Sequence, residues 1–130
     1  MKIFFPKEQN NEIRTAIVPS VVKKYVGLGA EVLIESGAGK SINIDDKDYA
    51  DAGGIITKNR LDALSNADII CRLNAPPVDE IPDLKKDCIH ISFLDPIKEK
   101  SLVDAFVEAS VTSISMELIP RITRAQKMDA

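Results

Sequence analysis

A single histidine, two cysteines and an amino terminus whose apolar run is only Ile3, Phe4 and Phe5 set the first limits on this 130-residue chain. With one imidazole and the two thiols far apart in sequence, no Cys and His ligand set for a metal can be written, and no histidine-based acid–base pair is available. Cys71 and Cys88 each lie inside an apolar run, which predicts buried free thiols in a reducing compartment rather than a disulfide. The short leading run is too brief for a signal peptide or a membrane span, so the chain is expected to be cytoplasmic. Charge of one sign is also lacking. The net value is −3, with Lys and Arg interspersed among Asp and Glu, so there is no basic stripe for a phosphate backbone and nucleic acid is not an expected partner.

Two phosphate-binding motifs are absent as well. Gly39-Lys40-Ser41 follows a predicted strand, but the P-loop pattern also needs a glycine at position 34, which is Ile. Gly27 and Gly29 follow a helical pattern and precede a strand, the reverse of the order a dinucleotide fingerprint requires, and position 32 is Val. Both segments read as turns.

What is present suits one globular unit, with 45% hydrophobic and 28% charged residues. Short β-type runs alternate with amphipathic helical patterns. Strands are predicted at 2–5, 31–35, 55–56, 68–73, 88–94 and 111–117. Pro19 opens a helix whose apolar face is Val21, Val22, Tyr25, Val26 and Leu28, closed by Gly27 and Gly29. Further helices are predicted at 45–52, around 61–64 and at 101–109, with a helical turn at 80–85. About six strands and four or five helices predict a three-layer α/β domain, Rossmann-like or flavodoxin-like, with a mainly parallel sheet. Ligands in such sheets collect beyond the carboxyl ends of the strands, here the loops after Phe5, Leu73, Leu94 and Glu117.

Three places carry candidate chemistry. His90, alternating with Ile89 and Ile91, reads as a structural residue of a strand. Arg14, in the first loop, has a planar fork suited to a carboxylate, or to an ion pair within its own loop. The segment 120–130, PRITRAQKMDA, offers a donor in Arg121 and an acceptor in Asp129, the pair needed to hold a carboxamide such as that of nicotinamide, while Gln126 suits ribose hydroxyls. The bland reading is a solvated helix start. Residues 124–130 favour helix without a stop signal, so the expectation is that these 130 residues are the front part of a longer chain. A stand-alone, non-catalytic binding module is the alternative.

The segments PKEQNNEIRTAIVP (6–19), ESGAG (35–39), LNAPPVDEI (73–81), ISFLDP (91–96) and PRITRAQKMDA resemble, in that order, the amino-terminal part of the alpha subunit of proton-translocating NAD(P) transhydrogenase. That family shares its amino-terminal fold with alanine dehydrogenase. Alanine dehydrogenases carry a substrate-binding Arg in the first loop, which Arg14 matches, then a Lys and a His whose places here are taken by Asn74 and Asp95. The resemblance implies a portion of the NAD(H)-binding component, with Arg121 and Asp129 on the nicotinamide carboxamide and Gln126 on the ribose, facing NADP(H) held by a separate component. It implies a homodimer, a membrane component that moves protons, a location peripheral to the inner membrane through those partners, and a nucleotide-binding Rossmann domain downstream. No residue is assigned as acid or base and none as a metal ligand. Arg14, Asn74 and Asp95 mark a possible ligand-binding loop set. An alanine dehydrogenase-like enzyme is the alternative that Arg14 and the shared fold leave open.

Overall fold

A computed structural model describes residues 1–9, 12–94 and 100–116 of the chain. The strands are β1 (Lys2–Phe5), β2 (Glu31–Glu35), β3 (Ile55–Thr57), β4 (Ile69–Asn74), β5 (Ile89–Phe93) and β6 (Thr112–Ser115). They form one sheet in the order β3-β2-β1-β4-β5-β6, and every pairing is parallel. This is the doubly wound order of dinucleotide-binding folds, with its topological switch point between β1 and β4. The four α-helices among the described residues are α1 (Pro19–Gly27), α2 (Asp46–Asp51), α3 (Arg60–Asn66) and α4 (Lys100–Glu108).

Local chemistry explains most of the boundaries. Pro19 stands at the start of α1, where its missing N–H costs nothing. Gly29 takes φ +95 just beyond the helix, so the chain turns into β2 without strain. A reciprocal capping box between Asp45 and Asp48 starts α2. Asn59 caps α3 by accepting from Asp62 N at 3.0 Å.

The sheet separates two cores. On one face Phe5, Val22, Val32, Ile34 and Tyr49 pack beneath α1 and α2. On the other, Phe4, Leu64, Ile70, Ile81, Leu102 and Phe106 pack beneath α3, α4 and the 3-10 segment Val78–Asp83. The alternation Phe4 one way, Phe5 the other, is the pleat of a strand buried on both sides. Tyr49 is fully buried, and its hydroxyl donates to Ile17 O at 2.8 Å, which ties α2 to the approach of α1.

Several expectations are corrected at the residue level. Leu28 does not belong to the apolar face of α1. It follows the last turn and is 83% exposed. The helical turn expected at 80–85 is a 3-10 segment displaced to Val78–Asp83, where Pro82 bars a full α-helix. Lys40–Ile42 is a short 3-10 turn.

Candidate functional site

The carboxyl ends of β1 and β4 open on a crevice built mainly by the first loop. Pro6 ends β1, and Lys7 is fixed at once: its N–H donates to Glu35 Oε1 at 2.8 Å and its carbonyl accepts from Arg60 NH1 at 3.4 Å. The next residue, Glu8, reaches across the switch point. Its carboxylate accepts from Leu73 N at 2.8 Å and from Asn74 N at 3.1 Å. The loop then passes the turn after β2, where Ser41 Oγ donates to Ile13 O at 2.7 Å. Asp46 secures that turn by accepting from Ser36 Oγ at 2.6 Å and Gly37 N at 2.9 Å, and these two bonds, Gly37 first, hold its carboxyl below the usual range.

Between the first loop and this turn lies a cavity of about 240 Å³, bordered by Lys7, Glu8, Glu12, Arg14, Lys40 and Ser41. Arg14 is one wall of it, with its fork already occupied. Nε and NH2 donate to the two oxygens of Glu12 at 3.1 and 2.8 Å. That side-chain hydrogen bond is the main reason the Glu12 carboxyl is lowered to about 2. The structure therefore presents Arg14 in the ion pair within its own loop, at the rim of a cavity and open to solvent. A second hollow of about 280 Å³ lies beside Glu35 and Arg60 and shares Lys7 and Glu8 with the first.

Beneath the crevice runs a chain of charges that nothing local in the sequence singles out. Arg60 pairs with Glu35 and, through Nε and NH2 at 3.1 and 3.2 Å, with Glu80. Glu80 also accepts from Arg72 NH1 at 2.7 Å. Arg72 is only 2% exposed, so Glu80 compensates a charge that water does not reach. Burial works to raise the Glu80 carboxyl, yet the bonds and charges of Arg60 and Arg72 leave it lowered. Four elements are joined here: β2, α3, β4 and the 3-10 segment.

His90 is not part of the crevice. It is fully buried at a 5.1 Å centroid distance from the Phe106 ring of α4, and both ring nitrogens lack a hydrogen-bond partner. Burial first, and the Arg72 charge second, push its pKa down to about 3, so the ring is neutral across the ordinary pH range. Ser92 Oγ and Arg72 Nε are likewise buried without a partner. Cys71 and Cys88 are free, with thiol pKa values raised by burial, which makes them poor nucleophiles. Among the described residues no cluster of three His, Cys, Asp or Glu is arranged to hold a metal ion, and no helix is long and apolar enough to cross a membrane.

Of the residues expected to form the site, Arg14 and Asn74 are described, and Glu8 is what brings them together: it borders the Arg14 cavity and holds the Asn74 backbone. Asp95, Arg121, Gln126 and Asp129 lie outside the described residues. Sequence reasoning misses Glu8 because its partners are 65 and 66 positions away, and nothing local marks such a pairing.

Residues 4–130 match the family described as "Alanine dehydrogenase/PNT, N-terminal domain". The chain is 40% identical to the first of the separately encoded pieces of the NAD(P) transhydrogenase alpha subunit of Rhodospirillum rubrum, over 99% of this chain and 35% of that protein. It is 35% identical to an alanine dehydrogenase of Staphylococcus epidermidis, over 92% of this chain and 32% of that one. The solved transhydrogenase of Sinorhizobium meliloti superposes with a TM-score of 0.91 at 35% identity, covering 99% of this chain and 39% of that structure. The chain thus spans about a third of the length of these curated relatives.

Proposed function

We propose, from the premise that the chain belongs to the alanine dehydrogenase/PNT amino-terminal domain family, that it is a portion of the NAD(H)-binding component of a proton-translocating transhydrogenase. There it supports hydride transfer between NAD(H) and NADP(H). The observation that carries this reading is the 40% identity to a transhydrogenase alpha subunit across 99% of the chain.

Chemistry supports it. Reducing an imine or a 2-oxo acid consumes a hydride and a proton, and so calls for an acid–base group. Passing hydride between two nicotinamides moves no proton at the reacting carbons. The positions where alanine dehydrogenases carry Lys and His hold Asn74 and Asp95, and the one imidazole of the chain is locked neutral in the core. What the second reaction needs is placement, two flat rings held at about 3 to 3.5 Å.

In this proposal Arg121 donates to the carboxamide oxygen of nicotinamide, Asp129 accepts from its nitrogen, and Gln126 touches the ribose. Asn74 borders the crevice beside them. Most of the NAD(H) contacts come from a nucleotide-binding domain downstream, the component acts as a dimer, and NADP(H) arrives on a partner component coupled to a membrane component. The test is hydride transfer from NADH to an NADP analogue by the native protein assembled with those partners. Absence of transfer sinks the reading.

A second reading, an amino-acid dehydrogenase, is favoured by the position of Arg14 on a cavity and by the 35% identity to alanine dehydrogenase. Oxidation of NADH that depends on pyruvate and ammonia is its signature.

A further inference from the structure

The two hydrogen bonds of Glu8 have a geometric oddity. In a regular strand successive N–H groups point to opposite neighbours, so one side chain cannot take two in a row. Glu8 takes those of Leu73 and Asn74. The strand is irregular at this point. Its partners on β5 run Cys71↔Ile91 and then Asn74↔Phe93, so three steps along β4 answer two along β5. One surplus residue in a ladder is a β-bulge, and a bulge at a strand end redirects the side chains that follow it. The side-chain amide of Asn74 makes no hydrogen bond among the described residues.

We infer that Glu8 is a positioning residue: its carboxylate holds the β4 bulge open and thereby sets the direction in which Asn74 leaves the sheet at the switch point. The inference rests on the reading of Asn74 as a member of the ligand crevice. A carboxylate suits the task because it only accepts, with two oxygens for two donors. An amide in the same place offers one oxygen and sets an NH2 against a backbone N–H. The surplus residue frees both N–H groups from the ladder, and Glu8 satisfies them from the neighbouring loop.

The experiment compares Glu8→Gln, Asn74→Ala and the double variant in the native protein assembled with its partner components. Glu8→Gln slows hydride transfer about 10-fold while NADH affinity holds, and it adds less than about 2-fold to the loss in an Asn74→Ala background, because both changes remove one arrangement. Full additivity overturns the inference, as does a Glu8→Gln rate equal to that of the unaltered protein. A readout independent of turnover accompanies this. In Glu8→Gln the Leu73 and Asn74 amides exchange faster and the Asn74 side-chain NH2 resonance moves, while the amides of β1 and β2 keep their protection. Millimolar formate restores the Asn74 resonance in Glu8→Ala. Protection lost throughout the sheet, or an Asn74 resonance that does not move, overturns the inference even if the assembled protein transfers no hydride. That last result on the unaltered protein strikes the transhydrogenase reading alone.

Discussion

A neutral imidazole sealed against Phe106 makes His90 a sensor of acid in folding, though not in catalysis. Its folded pKa of about 3 lies below the ordinary 6.5, so the unfolded chain binds the proton more readily in between. Stability is therefore unaffected above pH 6.5 and falls as pH drops from there towards 3, with a slope approaching about 1.4 kcal/mol per pH unit. Urea midpoints of the native and His90→Leu proteins, measured from pH 7.5 to 4.5, should diverge in slope, with the variant nearly flat until the carboxylates begin to titrate. At the candidate ligand contacts, Arg121→Ala and Asp129→Asn should each lower hydride transfer by ~10- to 100-fold, the effect of one hydrogen bond worth about 1 to 3 kcal/mol. Unchanged rates in the assembled protein would falsify the assignment of that segment to nicotinamide. Single residues are legible in the sequence where their own chemistry decides the matter. A lone histidine alternating with isoleucines reads as buried, and two isolated cysteines read as free. Arg14 is legible only as a choice between two partners, because a guanidinium two positions from Glu12 fits either.

Elements are legible where turns are marked by Pro, Gly or a capping residue. Pro6, Pro19, Asp45 and the Gly53-Gly54 pair bound β1, α1 and α2 close to where the sequence places them. Unmarked ends drift: periodicity predicts the last strand over 111–117, and it is β6 at Thr112–Ser115, within a margin usual for such boundaries. The turn after β2 shows what a pattern search misses. Gly39 sits where a phosphate loop would have a glycine, but its role is close packing. A Cβ there would sit 2.8 Å from Ile44 Cβ and from Tyr49 Cε2. Gly39→Ala should therefore cost about 1 to 3 kcal/mol, read as a shift in urea midpoint, since the buried Tyr49 ring has nowhere to go.

Across the whole molecule, the Arg60–Glu80–Arg72 chain fastens the 3-10 crossover to both halves of the sheet. Removing the central acid leaves Arg72 charged, buried and without its partner. Glu80→Gln should cost on the order of 3 kcal/mol, and Arg60→Gln, which leaves the buried charge compensated, should cost less; the two unfolding curves decide it. The choice between Rossmann-like and flavodoxin-like order stays open in the sequence because periodicity reports faces, not neighbours. What settles it is the order of the strands, with β1 between β2 and β4 and β3 at the edge beyond β2. That central place of β1 imposes a wait. Lys2–Phe5 is the first strand the ribosome releases, yet Ile3 has no partner on that side until Ile69 emerges. At about 5 to 20 residues per second the delay is roughly 3 to 13 seconds. Through that interval Phe4 and Phe5 have water on the flank that β4 will later close, so the nascent chain offers a chaperone its most apolar strand before it can use it.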